Sequence, residues 1–281
     1  MSEFTKLSVK NVLSPENYQF FKQVTSHPDI KRALLAGGFI AGGFARAALR
    51  NDSLKDYLSP QRAFHKEVKS PGDVDIFFTS VDSADEIDDR FYRSQGGFAK
   101  EGNIHLERVG LTAFLNFKVQ FVETPDLILP TVEECLGRFD FVNCQVAIVG
   151  DKIIFPKNWH ELEDKHLIRI ANINAPFMGS RVFKYLTYRG YEGLDEESQE
   201  HFGMWLIKAA TGDFTGFTIQ HKQGVEAAVR KLFGRGVIKR DDLILFLGKW
   251  KQLLQEKVYG GYKNIEVDWA LHAIEQLNAT V

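Results

Sequence analysis

The sequence has two cysteines among 281 residues, no long apolar run and almost no excess of charge of either sign. Cys135 and Cys144 stand nine positions apart with no Cys-x-x-Cys pattern and no histidine-rich companion, which fits neither a zinc site nor a disulfide framework. So sparse a use of cysteine fits a reducing, cytoplasmic setting. No stretch approaches the roughly 20 apolar residues that a membrane span needs, and MSEFTKLSVKNVL at the start lacks the apolar centre of a secretory leader. The expectation is a protein with no membrane partner. A net charge of −2 argues against a chain that coats nucleic acid through its overall charge, so any polyanion would be met by a local patch. The eight histidines are scattered, without His-Glu-x-x-His spacing.

What is present is a globular composition, 44% hydrophobic and 26% charged, long enough for one large domain or two small ones. Residues 14–27 read as a helix, with Ser14 as N-cap, Pro15 at the first helical position and Glu16 in the first turn. ALLA, residues 33–36, is apolar on both faces and suits a central strand. FARAALRN after the glycines is helical in composition, and 51–72, with Tyr57, Pro60, His65 and Pro71, reads as an inserted loop. DVDIFF, residues 73–78, is a second strand and SADEIDDRFYRSQ a helix. NIHLERVG and LTAFLNFKVQFVE form paired strands turning near Gly110. PTVEECLGRF gives a short helix, and DFVNCQVAIVGDKIIF a hairpin turning at Gly150-Asp151. From about Asn158 the apolar spacing is helical almost throughout. The expected class is α+β, a mixed-sheet head over 1–157 followed by an all-helical region over 158–281.

Within DVDIFF, alternation puts Asp73, Asp75 and Phe77 on one face and Val74, Ile76 and Phe78 on the other. Two carboxylates about 7 Å apart repel unless something neutralises them. A divalent cation does so, and magnesium favours a few carboxylates together with substrate phosphates. Two aspartates facing solvent at a strand end would have the same spacing. The doubled Ala-Gly-Gly-Phe at 36–39 and 41–44 adds to the first reading, because an apolar strand, two glycines and a helix present bare backbone amides to a phosphate.

LLAGG followed by GDVDIFF resembles the signature of the nucleotidyltransferase superfamily, which includes polymerase-β-like enzymes and the CCA-adding and poly(A) polymerases. The resemblance spans residues from about 30 to 155, and its nearest likeness is to stand-alone nucleotidyltransferase-like proteins of bacteriophages. It implies transfer of a nucleotidyl group from a nucleoside triphosphate to a hydroxyl of RNA, protein or a small molecule, with Mg2+ on Asp73 and Asp75. Gly37 and Gly38 directly follow the apolar run and are expected to face the phosphates. Gly42-Gly43-Phe44-Ala45-Arg46 resembles the Gly-Gly-x-x-Arg-Asp of CCA-adding enzymes, with Ala47 in place of the aspartate, and makes Arg46 a second nucleotide-binding candidate.

The superfamily's third carboxylate belongs on the strand NFKVQFVE, where Gln120 stands between Lys118 and Val122 on one face. A neutral amide orients a ligand but is no general base. Glu123 has the opposite parity. Arg138, Asp140, Phe141 and Asn143 loosely resemble the Arg-Arg-Asp-Phe-Thr-Ile-Asn-Ala motif of CCA-adding enzymes, implying a sugar or acidic-set role for Asp140 and substrate binding by Arg138. Asp140 capping a turn is the structural alternative. RVFKYLTYRGYE resembles the Arg-x-x-Arg-Phe helix that follows such heads, with Lys184 as the second basic residue. The Lys- and Arg-rich window 222–257, with Phe233, Phe246 and Trp250 interleaved, reads either as a nucleic-acid contact or as an amphipathic helix. Because Gln120 replaces an acid, a binding or assembly module without turnover stands as the alternative function.

Overall fold

The computed structural model describes residues 3–59, 72–80, 99–101, 104–112, 115–122, 127–172, 181–182, 185–186, 189–199 and 201–202, with 236, 239–241, 244 and 248 beyond them. The elements in chain order are β1 (Phe4–Ser8), α1 (Val9–Val12), α2 (Pro15–Thr25), α3 (Pro28–Leu35), β2 (Gly38–Ala41), α4 (Gly43–Leu49) and α5 (Leu54–Leu58). They continue with β3 (Asp73–Phe78), β4 (Ala99–Glu101), β5 (Ile104–Thr112), β6 (Leu115–Val122), β7 (Ala147–Val149) and β8 (Lys152–Pro156). Short helices cover Val132–Gly137 and Trp159–Asp164. Clustering of contacts gives two compact units, Met1–Phe139 with Asn143–Trp159, and Asp140–Val142 with His160–Val281.

The first unit is built on one eight-stranded sheet in the order β1-β8-β7-β2-β3-β6-β5-β4. Neighbours are antiparallel except β3 and β6, which run parallel, so the chain leaves β3, makes the edge hairpin β4–β5 and returns beside β3. This is the mixed α+β sheet that the alternation of patterns predicts. One face carries the larger core, in which Ile40, Val74, Ile76, Phe78, Val119 and Phe121 pack against the helices. The other face carries a smaller core of Phe39, Ala41, Phe77, Val122, Leu136 and Ile154. Burying each large side chain contributes roughly 1.5–3 kcal/mol, and β2 and β3 are clamped by burial on both faces.

Local chemistry sets the element ends. Ser14 Oγ accepts the Asn17 N–H at 3.3 Å, and Pro15 opens α2 as the sequence predicts. The helix at Val132 has a full capping box between Thr131 and Glu134. The buried Asn17 amide donates to the carbonyls of Asn51 and Asp52 at 3.3 and 2.8 Å, and its oxygen accepts the Leu54 N–H at 3.1 Å. One side chain thus fixes the corner between α4 and α5.

Four expectations need correction. ALLA is the end of α3 rather than a strand: Pro28 starts the helix, Ile30 and Ala33 form its buried stripe, and Leu35 is 78% exposed, which a strand buried on both faces would not allow. The strand is GFIA, after the first glycine. The segment 51–72 contains α5, capped by Ser53 on the Asp56 N–H at 3.3 Å, while 60–71 lie outside the described residues. Gly110 still pairs with Asn116, and β5 and β6 part after Thr112 opposite Leu115 with a register shift between. The second unit includes a parallel pair, β9 (Leu167–Ile168) and β10 (Gly193–Leu194), where helices alone are expected. The hairpin β7–β8 turns at Gly150 as predicted, preceded by a 3-10 turn at Val142–Cys144. The expected helix SADEIDDRFYRSQ lies outside the described residues.

No helix among the described residues is long and apolar enough to cross a membrane. A Cβ on Gly38 would come within 2.7 Å of the Ala33 carbonyl oxygen and 3.0 Å of Ile76 Cγ2, both in packed surroundings. Gly38→Ala is expected to cost about 1–3 kcal/mol of stability, read as a lower urea midpoint at unchanged slope. Cys135 and Cys144 are both buried, and burial pushes the Cys135 thiol up. Neither thiol should be alkylated by iodoacetamide at neutral pH until the chain unfolds.

Candidate active site

β3 follows the alternation read from its sequence. Val74, Ile76 and Phe78 are buried in the larger core, and Phe77 stacks on Phe39 in the smaller one with ring centroids 5.8 Å apart. Asp73 and Asp75 share the face of Phe77 and are half-buried. The parallel register sets Lys118 beside Asp73, Gln120 beside Asp75 and Val122 beside Phe77. Along β6 that face passes from exposed Lys118 through half-buried Gln120 to buried Val122. The smaller core therefore runs out, over two residues on each strand, into a polar rim of two carboxylates and an amide. Gln120 Nε2 donates a hydrogen bond to Asp73 Oδ2. The amide thus lies on the face of the two carboxylates.

The end of β2 closes the rim. Ala41 is opposite Asp75, so the chain must turn at the level of the carboxylate. Gly42 makes that turn with φ of 75°, in the left-handed region, and a Cβ there would lie 2.9 Å from Asp75 Oδ2. Gly43 then opens α4, whose first-turn bond runs from the Arg46 N–H to the Gly42 carbonyl at 3.0 Å. The Arg46 side chain is 4% exposed. Gly37, with φ of 94°, and Gly38 sit at the other end of β2, where Gly38 pairs with Phe78. Three residues of strand, roughly 10 Å, separate Gly38 from Ala41. The reading of Gly37 and Gly38 rests on ALLA as the strand; with GFIA as the strand, the pair that follows it is Gly42-Gly43.

Tyr57, on α5, enters the same place and was not singled out as a site residue from sequence. A Cβ on Gly43 would overlap its hydroxyl, and one on Gly72 would overlap its ring. Its carbonyl accepts the Gly72 N–H at 2.8 Å, and its ring meets Phe44 edge-on at 6.1 Å between centroids. No sequence pattern marks it: Gly72 and Gly43, which leave room for the ring, look like any turn glycines.

The motif around Asp140 is divided between the two units. Asp140 is 3% exposed and belongs to the second unit, where Arg181 Nε approaches its Oδ2 at 3.0 Å and the Phe141 N–H donates to Oδ1 at 3.0 Å. Its carbonyl accepts the Ala171 N–H at 2.7 Å, and Arg181 lies over the rings of Phe141 and Tyr185. Arg138 is exposed just after the helix Val132–Gly137, in the first unit. The buried Asn143 offers its carbonyl to Trp159 Nε1 at 3.1 Å. Among the described residues no three His, Cys, Asp or Glu side chains are grouped to hold a metal. Glu123, Lys184 and most of the basic window 222–257 lie outside the described residues.

The architecture has close counterparts among solved structures. A CCA-adding enzyme in complex with CTP superposes with a TM-score of 0.51 at 16% identity, over 98% of this chain and 66% of that one. This is the nucleotidyltransferase fold of the CCA-adding enzymes. A CCA-adding enzyme with ATP gives 0.52 at 14% identity, over 98% and 66%, and a tRNA-processing enzyme in an apo form gives 0.51 at 14%, over 93% and 70%. The chain thus spans just under two thirds of the CCA-adding enzymes that it matches. No family model matches the sequence, and no curated protein does.

In this fold Gly42 and Asp75 are mutually constrained by space as well as by register. Gly42→Ala is expected to cost about 1–3 kcal/mol, from the positive φ and from the overlap with the carboxylate. Asp75→Ala should remove the overlap part, so that the double variant costs at least about 0.5 kcal/mol less than the sum of the two singles in a denaturation cycle.

Proposed function

We infer that the protein transfers a nucleotidyl group from a nucleoside triphosphate to a hydroxyl acceptor. The observation that carries this reading is the placement of two half-buried carboxylates, Asp73 and Asp75, on one face of β3 directly beside the glycine turn that ends β2. The donor set fits Mg2+: two half-buried carboxylates on one face of β3, with Asp75 reaching over Gly42. Asp73 and Asp75 would hold the ion, which when bound neutralises phosphate charge and favours departure of pyrophosphate.

The chain's own groups do the positioning. We assign phosphate contact to the Gly42-Gly43 turn rather than to Gly37 and Gly38, because this turn ends β2 at the level of Asp75. Arg46, one turn into α4, is the nearby fixed cation. A hydroxyl oxygen forms its bond to the α-phosphorus as the bond to the β-phosphate oxygen breaks. The hydroxyl proton needs an acceptor; the Gln120 amide cannot serve, which leaves the carboxylates. For Asp140 and Arg138 we propose no catalytic contact, since Asp140 is engaged with Arg181. The acceptor that we favour is the terminal hydroxyl of an RNA, because the chains of similar fold are CCA-adding and tRNA-processing enzymes.

A second reading has its own observation. The Gln120 amide bonded to Asp73 suits a module that holds a nucleotide without turning it over. Pyrophosphate release from the four ribonucleoside triphosphates, with Mg2+ and an RNA acceptor, separates the two. The transferase reading expects release that falls at least about 100-fold in Asp73→Asn/Asp75→Asn. Tight binding with no release by any acceptor establishes the module. In that case Gln120→Asp, which restores an acid beside Asp73, is the variant expected to bring release back.

A further inference from the structure

One row across the sheet changes sign beside the carboxylates. The face of Phe77 and Val122 continues onto β5 through Ile104, the register partner of Val122, and Leu106, the partner of Gln120. At its open end the same face carries Asp73 on β3, Lys118 on β6 and Arg108 on β5, each the register partner of the next. Strand spacing sets their α-carbons about 4.8 Å apart, so the row passes from one acid to two bases within about 10 Å. Lys118 is exposed, and among the described residues it forms no ion pair. Asp73 takes its hydrogen bond from Gln120 instead. A lysine whose role was to neutralise Asp73 would pair with it. Nor do these cations blunt a sheet edge, since β6 and β5 lie inside the eight-stranded order with β4 beyond them.

We propose that Lys118, with Arg108 next along the row, seats the phosphodiester that precedes the terminal hydroxyl of an RNA acceptor. The proposal rests on the nucleotidyl-transfer reading above. In that reading the triphosphate lies against the Gly42-Gly43 turn, on the β2 side of the carboxylates. An in-line displacement needs the attacking oxygen opposite the departing pyrophosphate. The acceptor therefore enters from the other side of β3, the side of β6 and β5. The last phosphodiester of an RNA lies close to its terminal hydroxyl, and the first cation next to Asp73 on that side is Lys118. An ammonium on a flexible stem meets a phosphate as a point charge, without the planar match that a guanidinium makes. It also draws the acceptor toward a rim whose two carboxylates repel a polyanion. A hydroxyl on a protein side chain brings no such phosphate and gains nothing from the row.

The test uses the full-length wild type, Lys118→Gln, Lys118→Arg and Lys118→Gln/Arg108→Gln, with thermal unfolding of each as the control for folding. Binding of a short, fluorescently labelled single-stranded RNA with a free terminal hydroxyl is followed by anisotropy over a range of salt. Lys118→Gln should weaken binding about fivefold at ~0.1 M salt and lower the salt slope by about 0.7, the loss of one phosphate contact on a single strand. The double variant should lower the slope further, and Lys118→Arg should keep it. Replacing the last phosphodiester of the RNA by a neutral methylphosphonate should weaken wild-type binding by a similar factor and leave binding by Lys118→Gln unaffected. The wild-type half of that comparison needs no variant to fold. A methylphosphonate that costs the wild type nothing, or costs Lys118→Gln as much as the wild type, would overturn the proposal. So would weaker binding of α,β-methylene nucleotide analogues by Lys118→Gln in Mg2+ with RNA binding unchanged, which would move the row to the triphosphate. A wild type that binds the analogues but no RNA overturns the proposal and leaves nucleotide binding standing, whereas one that binds neither overturns both.

Discussion

The antiparallel register of β2 on β3 is the constraint on which the rest of the site depends. Because Ala41 pairs with Asp75, β2 ends at the level of the second carboxylate, and the chain has to turn there with no room for a side chain. A left-handed glycine satisfies both demands at once. Once Gly42 has turned, α4 must start at Gly43, and its buried stripe of Phe44, Ala47 and Ala48 drives it down on the larger core. The course of α4 in turn fixes where Arg46 points from and where the α4–α5 corner falls. Asn17 then locks that corner through three backbone partners, and α5 delivers Tyr57 to the turn at which the sequence of constraints began.

The sheet explains why two carboxylates can be half-buried side by side. Phe77 and Val122 lie next along the same face, in the smaller core, and hold β3 and β6 in register by burial that does not depend on the polar rim. The rim is then a boundary effect: one face of two adjacent strands changes from apolar to polar within two residues, while the other face stays apolar throughout. Such a boundary keeps the acids fixed in direction and half-exposed. A site on mobile loops would have to order these groups on binding, whereas here their geometry is set by strands packed on both faces.

The strand DVDIFF was legible because Asp-Val-Asp-Ile alternates over four residues and admits one assignment of faces, and parity put Gln120 on one face with Lys118 and Val122. The capped start of α2 was legible for an equally local reason, the Ser-Pro-Glu opening. ALLA was misread because a short apolar run carries no periodicity that separates a buried strand from the end of an amphipathic helix. That error moved the strand by five residues and with it the glycine pair that ends the strand. Tyr57 was beyond reach for a different reason. Its contacts with Gly43 and Gly72 join residues 14 and 15 positions away on separate elements, and nothing in a linear pattern tells a glycine that makes room for a ring from one that makes a turn. The parallel pair β9–β10 is two residues per strand, too short for any periodicity.

An amide at Gln120, rather than an acid, has a physical consequence for the rim itself. A third carboxylate beside Asp73 would bring a third negative charge into a half-buried rim, and its repulsion has to be offset by a bound cation or by protonation. An amide reverses the sign of the interaction: its N–H donates to Asp73, so the ligand-free rim gains a charge-assisted hydrogen bond where the acid would have introduced strain. The amide also leaves the rim with one base and one negative charge fewer than an acid there would give. The hydrogen bond from Gln120 therefore steadies Asp73 by means that need no bound ion.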